Sequence, residues 1–437
     1  MTFWVIIMFL TLMVLLLLGY PVAFTLGSVA LLFGSLFLGL DFFMLLPLRI
    51  WGIMTNFTLL AVPLFIFMGV VLDKSGLAED LLETMGLLFG RMRGGLALSV
   101  VIVGALLAAT TGVVGATVVT MGIIALPIML KRAYSPQLAT GTIAASGTLG
   151  QIIPPSIILI LLGDVMGVPV GRLFIGAIVP GSLLVLLFLI YISVIAWRKP
   201  DSAPALLAEE DGALIHKVIF TLFPPLLLVI AVLGSIFFGI ASPTESAAVG
   251  AMGAMLLAVA HKRLTLTNLQ DAMRLTTRLT SMVFLILIGA TAFGLVFRGM
   301  GGDRLVLDMM TSLPGGVWGF MLVSMALIFV LGFFLDFLQI CFIVVPILAP
   351  IANNLGIDLL WFAVLIALNL QTSFLTPPFG FSLFYLKAVA PPGIRIQDIY
   401  RGIIPFVALQ LIAMGLLIVF PEIVTWLPDL MDQMHGL

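Results

Sequence analysis

The fold class predicted by the sequence is an all-α polytopic membrane protein, an inverted-topology repeat with two re-entrant hairpins and two broken helices. Three observations predict it. Apolar stretches of membrane length recur from end to end, the basic residues fall on one side of the layout those stretches define, and a proline pair occurs twice, about half a chain apart. Of 437 residues, 62% are hydrophobic and only 9% charged, against roughly a quarter charged in soluble domains. The membrane is therefore this chain's solvent throughout.

Taken in order, apolar spans lie near 3–18, 22–40, 58–72, 173–197, 218–240, 244–260, 279–298 and 403–420, with interrupted spans near 136–165 and 359–386. The first has no Lys or Arg before Arg49 and no small-residue cleavage site, so it reads as a retained helix rather than a signal peptide. Two further segments, about 95–130 and 318–351, are pairs of half-length apolar arms around a polar or Gly-rich turn. A helix needs about 20 apolar residues to span, so these read as re-entrant hairpins.

Charge orients the layout. With the mouth of the first hairpin in the cytoplasm and the N-terminus in the periplasm, every Lys and Arg except Arg49, Arg172, Arg298 and Arg304 lies inside, as the positive-inside rule expects. Trp4, Trp51, Trp197, Trp318, Trp361 and Trp426 fall near predicted interfaces. The second hairpin then opens outward, so the two halves run in opposite senses.

Short matches recur in order at a nearly constant spacing. Tyr20-Pro21 pairs with Ser242-Pro243, Leu126-Pro127-Ile128 with Val345-Pro346-Ile347, Pro154-Pro155 with Pro377-Pro378, and Gly176–Pro180 with Gly402–Pro405. Together with the charge layout they imply repeats at 1–200 and 218–437, joined by a polar cytoplasmic linker, 201–217.

A proline pair removes two backbone donors and stops regular helix, and freed carbonyls at membrane depth are tolerated only against protein, water or an ion. Paired breaks in two halves therefore point to a transporter's binding site. Candidate Na⁺ ligands are Thr110, Thr111, Gly112, Gly115 and Thr117 at the first tip, Ser146 and Gly147 before the first break, Gly332 and Asp336 at the second tip, and Asn369, Thr372 and Ser373 before the second break. Hydroxyl, amide and carbonyl oxygens suit a hard monovalent cation. Candidate substrate contacts are Thr148, Gln151, Pro154, Pro155, Ser156, Gln371, Thr376, Pro377 and Pro378, where half-helix N-termini would attract a carboxylate. Plainer roles compete: hydroxyls bonding the preceding turn, glycines permitting close packing, Asp336 capping its return arm, and the amides satisfying broken backbone. Asp164, Asp303, Glu245, Arg298 and Arg304 read as interface charges, and the Met- and Phe-rich stretches as bulk.

Other functions find little support. No basic patch with interleaved aromatics marks nucleic-acid binding. Cys341 is the only cysteine, and His216, His261 and His435 lie in polar loops or the tail. A membrane-embedded enzyme would need a nucleophile–base pair or metal cluster at depth. No phosphate-binding loop of the GxxxxGK type supplies nucleotide energy. A stand-alone sodium–dicarboxylate symporter stays open as an alternative, and a channel is disfavoured by the paired breaks.

The run from Thr117 to Ser156, with LPIMLKRAYSPQLATGTIAASGTLGQIIPPS, resembles the large membrane subunit of TRAP transporters, the DctM-like permeases. So does GFFLDF…VPILAPIANNLGID…LNLQTSFLTPPFG in the second half, and the resemblance covers essentially the whole chain. It implies a tripartite, Na⁺-driven importer of organic anions (carboxylates) in the bacterial inner membrane, moving substrate by an elevator motion, with no organic cofactor. It further implies two partners, a small four-helix membrane subunit on a separate chain and a soluble periplasmic binding protein. The family's hairpin tips fall on Thr110–Thr117 and Leu335–Gln339, and its unwound regions on Ser146–Ser156 and Asn369–Pro378. One departure is the first tip. Many members carry a Ser-rich SGS-like tip followed by Ala-Asp, where this chain reads Thr-Gly-Val-Val-Gly-Ala-Thr and offers backbone carbonyls.

Overall fold

Helices are what a chain this apolar must form, because in hydrocarbon each backbone donor and acceptor has to be satisfied within its own segment. The computed structural model describes residues 2–111, 114–205 and 214–435, and the described residues form helices and short connections with no strand. The first half comprises α1 (Thr2–Leu17), α2 (Val22–Phe37), α3 (Leu46–Met54), α4 (Ala61–Lys74), α5 (Leu77–Phe89), α6 (Gly95–Thr111), α7 (Val114–Lys131), α8 (Pro136–Thr148), α9 (Ile157–Met166) and α10 (Val170–Arg198). The second comprises α11 (Leu214–Phe237), α12 (Pro243–Ala260), α13 (Leu266–Gly299), α14 (Gly302–Thr311), α15 (Val317–Leu331), α16 (Phe337–Asn354), α17 (Leu359–Leu375), α18 (Phe381–Val389), α19 (Ile396–Val419) and α20 (Glu422–His435).

Local chemistry sets many of these boundaries. Ser135 accepts from the Leu138 N–H and Pro136 fills the first turn of α8, where a missing donor costs nothing. Ser242 and Glu245 form a reciprocal capping box ahead of α12, again with proline at its start. Gly167 ends α9 in the left-handed region at φ 70°, which suits a residue without Cβ.

The halves pack reciprocally. α2 lies along α13 and, in the equivalent position, α4 lies along α12. The return arm of each hairpin packs on the distal half of the other half's broken helix: α7 on α18, and α16 on α9. One asymmetry stands out. α3 and α4 form a pair bent by 57°, whereas their counterpart α13 is one helix of 34 residues.

The proline pairs interrupt helices as expected. α8 passes into a single tight turn at Leu149–Gln151 before α9 starts, and α17 ends at Leu375 before α18 starts at Phe381. Both Pro154-Pro155 and Pro377-Pro378 bonds are cis.

Several elements differ from the sequence reading. The span expected near 279–298 begins at Leu266, because Thr265 caps it by accepting from the Asn268 N–H and the helix runs on through polar residues. At 1.5 Å per residue it is about 50 Å long, beyond the roughly 30 Å hydrocarbon core. α3, α5, α14 and α20 were not anticipated; all four are short, and α5, α14 and α20 are amphipathic, their polar faces masking the apolar stripe. Among the described residues seven helices are long and apolar enough to cross alone, or eight counting the bent pair. α1 and α2, at 16 residues each, fall short, while α7 and α16, at 18 each, pass. Each hairpin thus pairs a shorter arm with a longer one.

Two further contacts organise the site. Residues just after α10 strap the mouth of the first hairpin: Gly94 donates to the Ala203 carbonyl at 2.9 Å and Ser135 to the Ser202 carbonyl at 3.0 Å. α8 and α19 run parallel in close contact. Gln137 Nε2 donates to Asp398 Oδ1 at 2.9 Å, and one turn on, a Cβ at either Gly141 or Gly402 would strike the opposing backbone.

Candidate functional site

Four helices begin and four end around the two breaks and two tips. α6, α8, α15 and α17 bring their C-terminal carbonyls there, and α7, α9, α16 and α18 their N-terminal N–H groups. The first set carries partial negative charge and suits a cation; the second carries partial positive charge and suits an anion.

Glycine lets these ends approach. A Cβ at Gly147 would collide with Val118 of α7, and one at Gly104 would lie 2.6 Å from the Ser146 Cβ, so both arms of the first hairpin clasp α8. At the second tip a Cβ on Gly332 would run into the Ser373 side chain. The Leu149–Gln151 turn of the first break packs against α17 of the second. A Cβ on Gly115 would meet the Tyr385 ring at 3.1 Å, so α18 of the second half reaches the first tip.

The hydroxyls largely turn back on their own helices. Ser146 donates to the Thr142 carbonyl at 2.6 Å, Thr148 to Ala145 at 2.8 Å, Thr372 to Leu368 at 2.8 Å, Ser373 to Leu370 at 2.8 Å and Thr376 to Thr372 at 2.7 Å. Their lone pairs are what they have to offer a cation. Asn369 donates Nδ2 to the Met325 carbonyl at 2.7 Å, tying α17 to the second hairpin. Asp336 accepts from the Phe337 N–H at 2.8 Å and so caps α16. Thr117 is buried on α7. Thr110 and Thr111 close α6, while Gly112 lies outside the described residues.

Each break is bridged in a similar way. Ser156 Oγ donates to the Gln151 carbonyl at 2.9 Å, and Ser382 Oγ donates to the Phe374 carbonyl at 2.8 Å. The Pro378 carbonyl accepts from the Tyr400 hydroxyl at 3.0 Å. Pro154, Pro155 and Pro377 supply only carbonyls here.

Gln151 and Gln371 are different. Both are 0% exposed, and in both the amide oxygen and nitrogen have no hydrogen-bond partner. An unmade hydrogen bond at a buried polar group costs about 1–3 kcal/mol, so each of these amides calls for a partner, a buried water or a ligand.

Sequence reasoning missed Ser382 and Tyr385, and it passed over Gln410. A hydroxyl two residues past Gly380 was the available signal for the first; Tyr385 sits in an apolar run that gave none. Gln410, also 0% exposed with both amide atoms unpartnered, stood out only as an amide in an apolar helix. Phe334 and Phe379 pack at 5.2 Å, Phe374 and Phe381 at 5.1 Å, and Phe337 and Phe374 at 6.4 Å between ring centroids beside the second tip. Among the described residues no three His, Cys, Asp or Glu side chains gather, so the donors on offer are hydroxyls, amides and carbonyls.

Comparison with known proteins identifies the family. The family model described as "Tripartite ATP-independent periplasmic transporter, DctM component" matches residues 9–423. The C4-dicarboxylate TRAP transporter large permease protein DctM of Pseudomonas aeruginosa is 31% identical over 385 residues, 88% of this chain and 87% of that protein. The sialic acid TRAP transporter large permease protein SiaM of Vibrio cholerae is 30% identical over 94% of this chain and 95% of its own length. The ectoine TRAP transporter large permease protein TeaC of Halomonas elongata is 30% identical over 97% and 99%. The crystal structure of the YdaH transporter of Alcanivorax borkumensis covers 94% of this chain and 99% of its own at TM-score 0.66 and 15% identity, a likeness of fold alone.

Proposed function

The chain belongs to the DctM-component family of tripartite ATP-independent periplasmic transporters, and from that premise we propose that it is the large permease of a Na⁺-driven, binding-protein-dependent importer of organic anions. It is a multi-pass membrane transport subunit, not an enzyme. In this reading it lies in the bacterial inner membrane with its N-terminus in the periplasm, beside a small membrane subunit and a periplasmic binding protein. Repeats 1–200 and 218–437 contribute one hairpin and one broken helix each, and the four move together as an elevator against a scaffold that includes α2, α4, α12 and α13. The alternative of a stand-alone sodium–dicarboxylate symporter differs in needing no partner.

The observation that carries the proposal is the pair of buried, unpartnered amides, Gln151 and Gln371, one at each break. Helix N-termini and neutral amide donors favour an anion that has to be released again. Helix C-terminal carbonyls, with the oxygens of Ser146, Asp336, Asn369, Thr372 and Ser373, favour Na⁺. Relatives named for C4-dicarboxylate, sialic acid and ectoine transport define the compounds to try.

The test is uptake into proteoliposomes holding this chain and the small subunit encoded with it, with the cognate binding protein outside. Succinate, sialic acid and ectoine are the probes, each under an imposed Na⁺ or K⁺ gradient. Uptake should require Na⁺ and the binding protein. Full uptake by this chain without partners would establish the symporter alternative instead. In the same vesicles Asp336→Asn, Thr372→Ala and Gln151→Ala should each lower Na⁺-driven uptake about tenfold, as losing one ligand interaction does, with normal insertion. Unchanged Na⁺ dependence in all three would remove these residues from the ion and substrate sites.

A further inference from the structure

Gln410 is the only polar side chain between Gly402 and Val419 in α19, a helix that belongs to neither hairpin and neither break. It is fully buried, and both amide atoms are unpartnered. A purely structural position there would favour an apolar side chain, since replacing a buried unsatisfied group by one of similar shape is neutral or stabilising.

Two registers fix the level of this residue along the helix axes. α8 and α19 run parallel, with Gln137 against Asp398 and Gly141 against Gly402. Two further turns bring Gln410 level with Leu149, where α8 gives way to the turn ending at Gln151. α17 runs antiparallel to α19: Trp361 Nε1 donates to the Leu417 carbonyl at 2.7 Å, and beyond the far end of α17 the Pro378 carbonyl accepts from Tyr400. That register sets Gln410 opposite Leu368, about one turn from the level of Gln371. On both counts Gln410 is within roughly one helical turn, about 5 Å along the axis, of the levels of the other two orphan amides.

We propose that Gln410 is a third ligand-contacting amide of the site: with Gln151 and Gln371 it donates through Nε2 to the oxygens of the transported organic anion. This rests on the transport reading above and adds to it a contact from α19. Three neutral donors on three helices recognise a carboxylate or hydroxyl by hydrogen bonding, without a fixed positive charge that would hold the anion after the helices move.

The experiment uses the complete complex in proteoliposomes, with Cys341→Ala as background. Gln410→Cys should react with a positively charged methanethiosulfonate at least about tenfold faster than Leu417→Cys. The latter is equally buried on α19 but packed where only local unfolding exposes it. Equal rates under both Na⁺ and K⁺ would overturn the proposal. Gln410→Leu covers the case in which the cysteine variant does not assemble. It should leave thermal stability unchanged or higher while raising KM about tenfold for whichever of succinate, sialic acid or ectoine the wild type takes up. Wild-type KM in Gln410→Leu overturns the contact while leaving the transport reading intact. Wild-type failure to take up any probe counts against the transport reading, and the labelling rates then decide the position of Gln410.

Discussion

Gly402→Val is expected to stop the chain from reaching a stable fold. Gly402 faces Gly141 and Gln137 across the α8–α19 crossing, where even a single Cβ would strike the Gln137 carbonyl. Valine adds two further methyls to a gap that holds no methyl at all. A flexible side chain in the way could swing aside, but the obstacle here is helical backbone, so the two helices must separate. Overpacking a tight core costs about 1–3 kcal/mol when side chains can shift; with backbone as the obstacle the upper end is the floor. Separation would also break the bond between Gln137 and Asp398. Against a total stability of about 5–15 kcal/mol, such a loss is severe. Yield of monodisperse protein in detergent is the measurement, and Gly141→Val should fail the same way. Wild-type yield and melting temperature for either variant would show that the crossing is looser than described.

The second large effect is expected from Gly332→Val, at the second tip. The obstacle in this case is a side chain, Ser373 on α17, so the fold should survive while the tip is pushed off the break. The carbonyls that end α15 would then be moved away from Asn369, Thr372 and Ser373, the oxygens proposed above for Na⁺. Na⁺-driven uptake should fall by at least about tenfold, the equivalent of roughly 1.4 kcal/mol, with insertion unchanged. A rescue makes the prediction specific. Because Ser373→Gly also removes an oxygen proposed for Na⁺, the comparison is a double-mutant cycle: Gly332→Ala should cost less uptake in a Ser373→Gly background than in the wild type, since the obstacle is gone. If Gly332→Ala costs as much in both backgrounds, the collision is not the cause.

Much of this architecture was readable from residue order. The proline pairs marked both breaks because proline acts on backbone whatever surrounds it. Amphipathic helices escaped, since the polar residues of Leu77–Phe89 and Glu422–His435 dilute an apolar stripe that only packing reveals. α20, for example, is held to α10 by Arg172 bonding Asp429 at 3.2 Å and Asp432 at 3.0 Å, partners over two hundred residues away. In the site, Gln151 and Gln371 stood out as amides beside prolines, but that they are unsatisfied is a property of three dimensions. Gln410 and Tyr385 reach the site only because α19 and α18 fold back against the first half.

That fold-back has a consequence for how the protein is made. The glycine face of α8 meets α19 at partners such as Gln137 and Asp398, which are 261 residues apart in the chain. At a synthesis rate of about 5–20 residues per second, α8 enters the bilayer some tens of seconds before its mate exists. For most of that interval a helix of small residues and hydroxyls, ending in a broken turn with an unsatisfied glutamine, has nothing from the second half to lie against. The first hairpin, whose two arms clasp α8 and whose mouth is strapped by residues 202 and 203, is the cover available to it. The nascent first half therefore carries its own temporary sheath, and the last long helix completes the molecule from within rather than merely closing its edge.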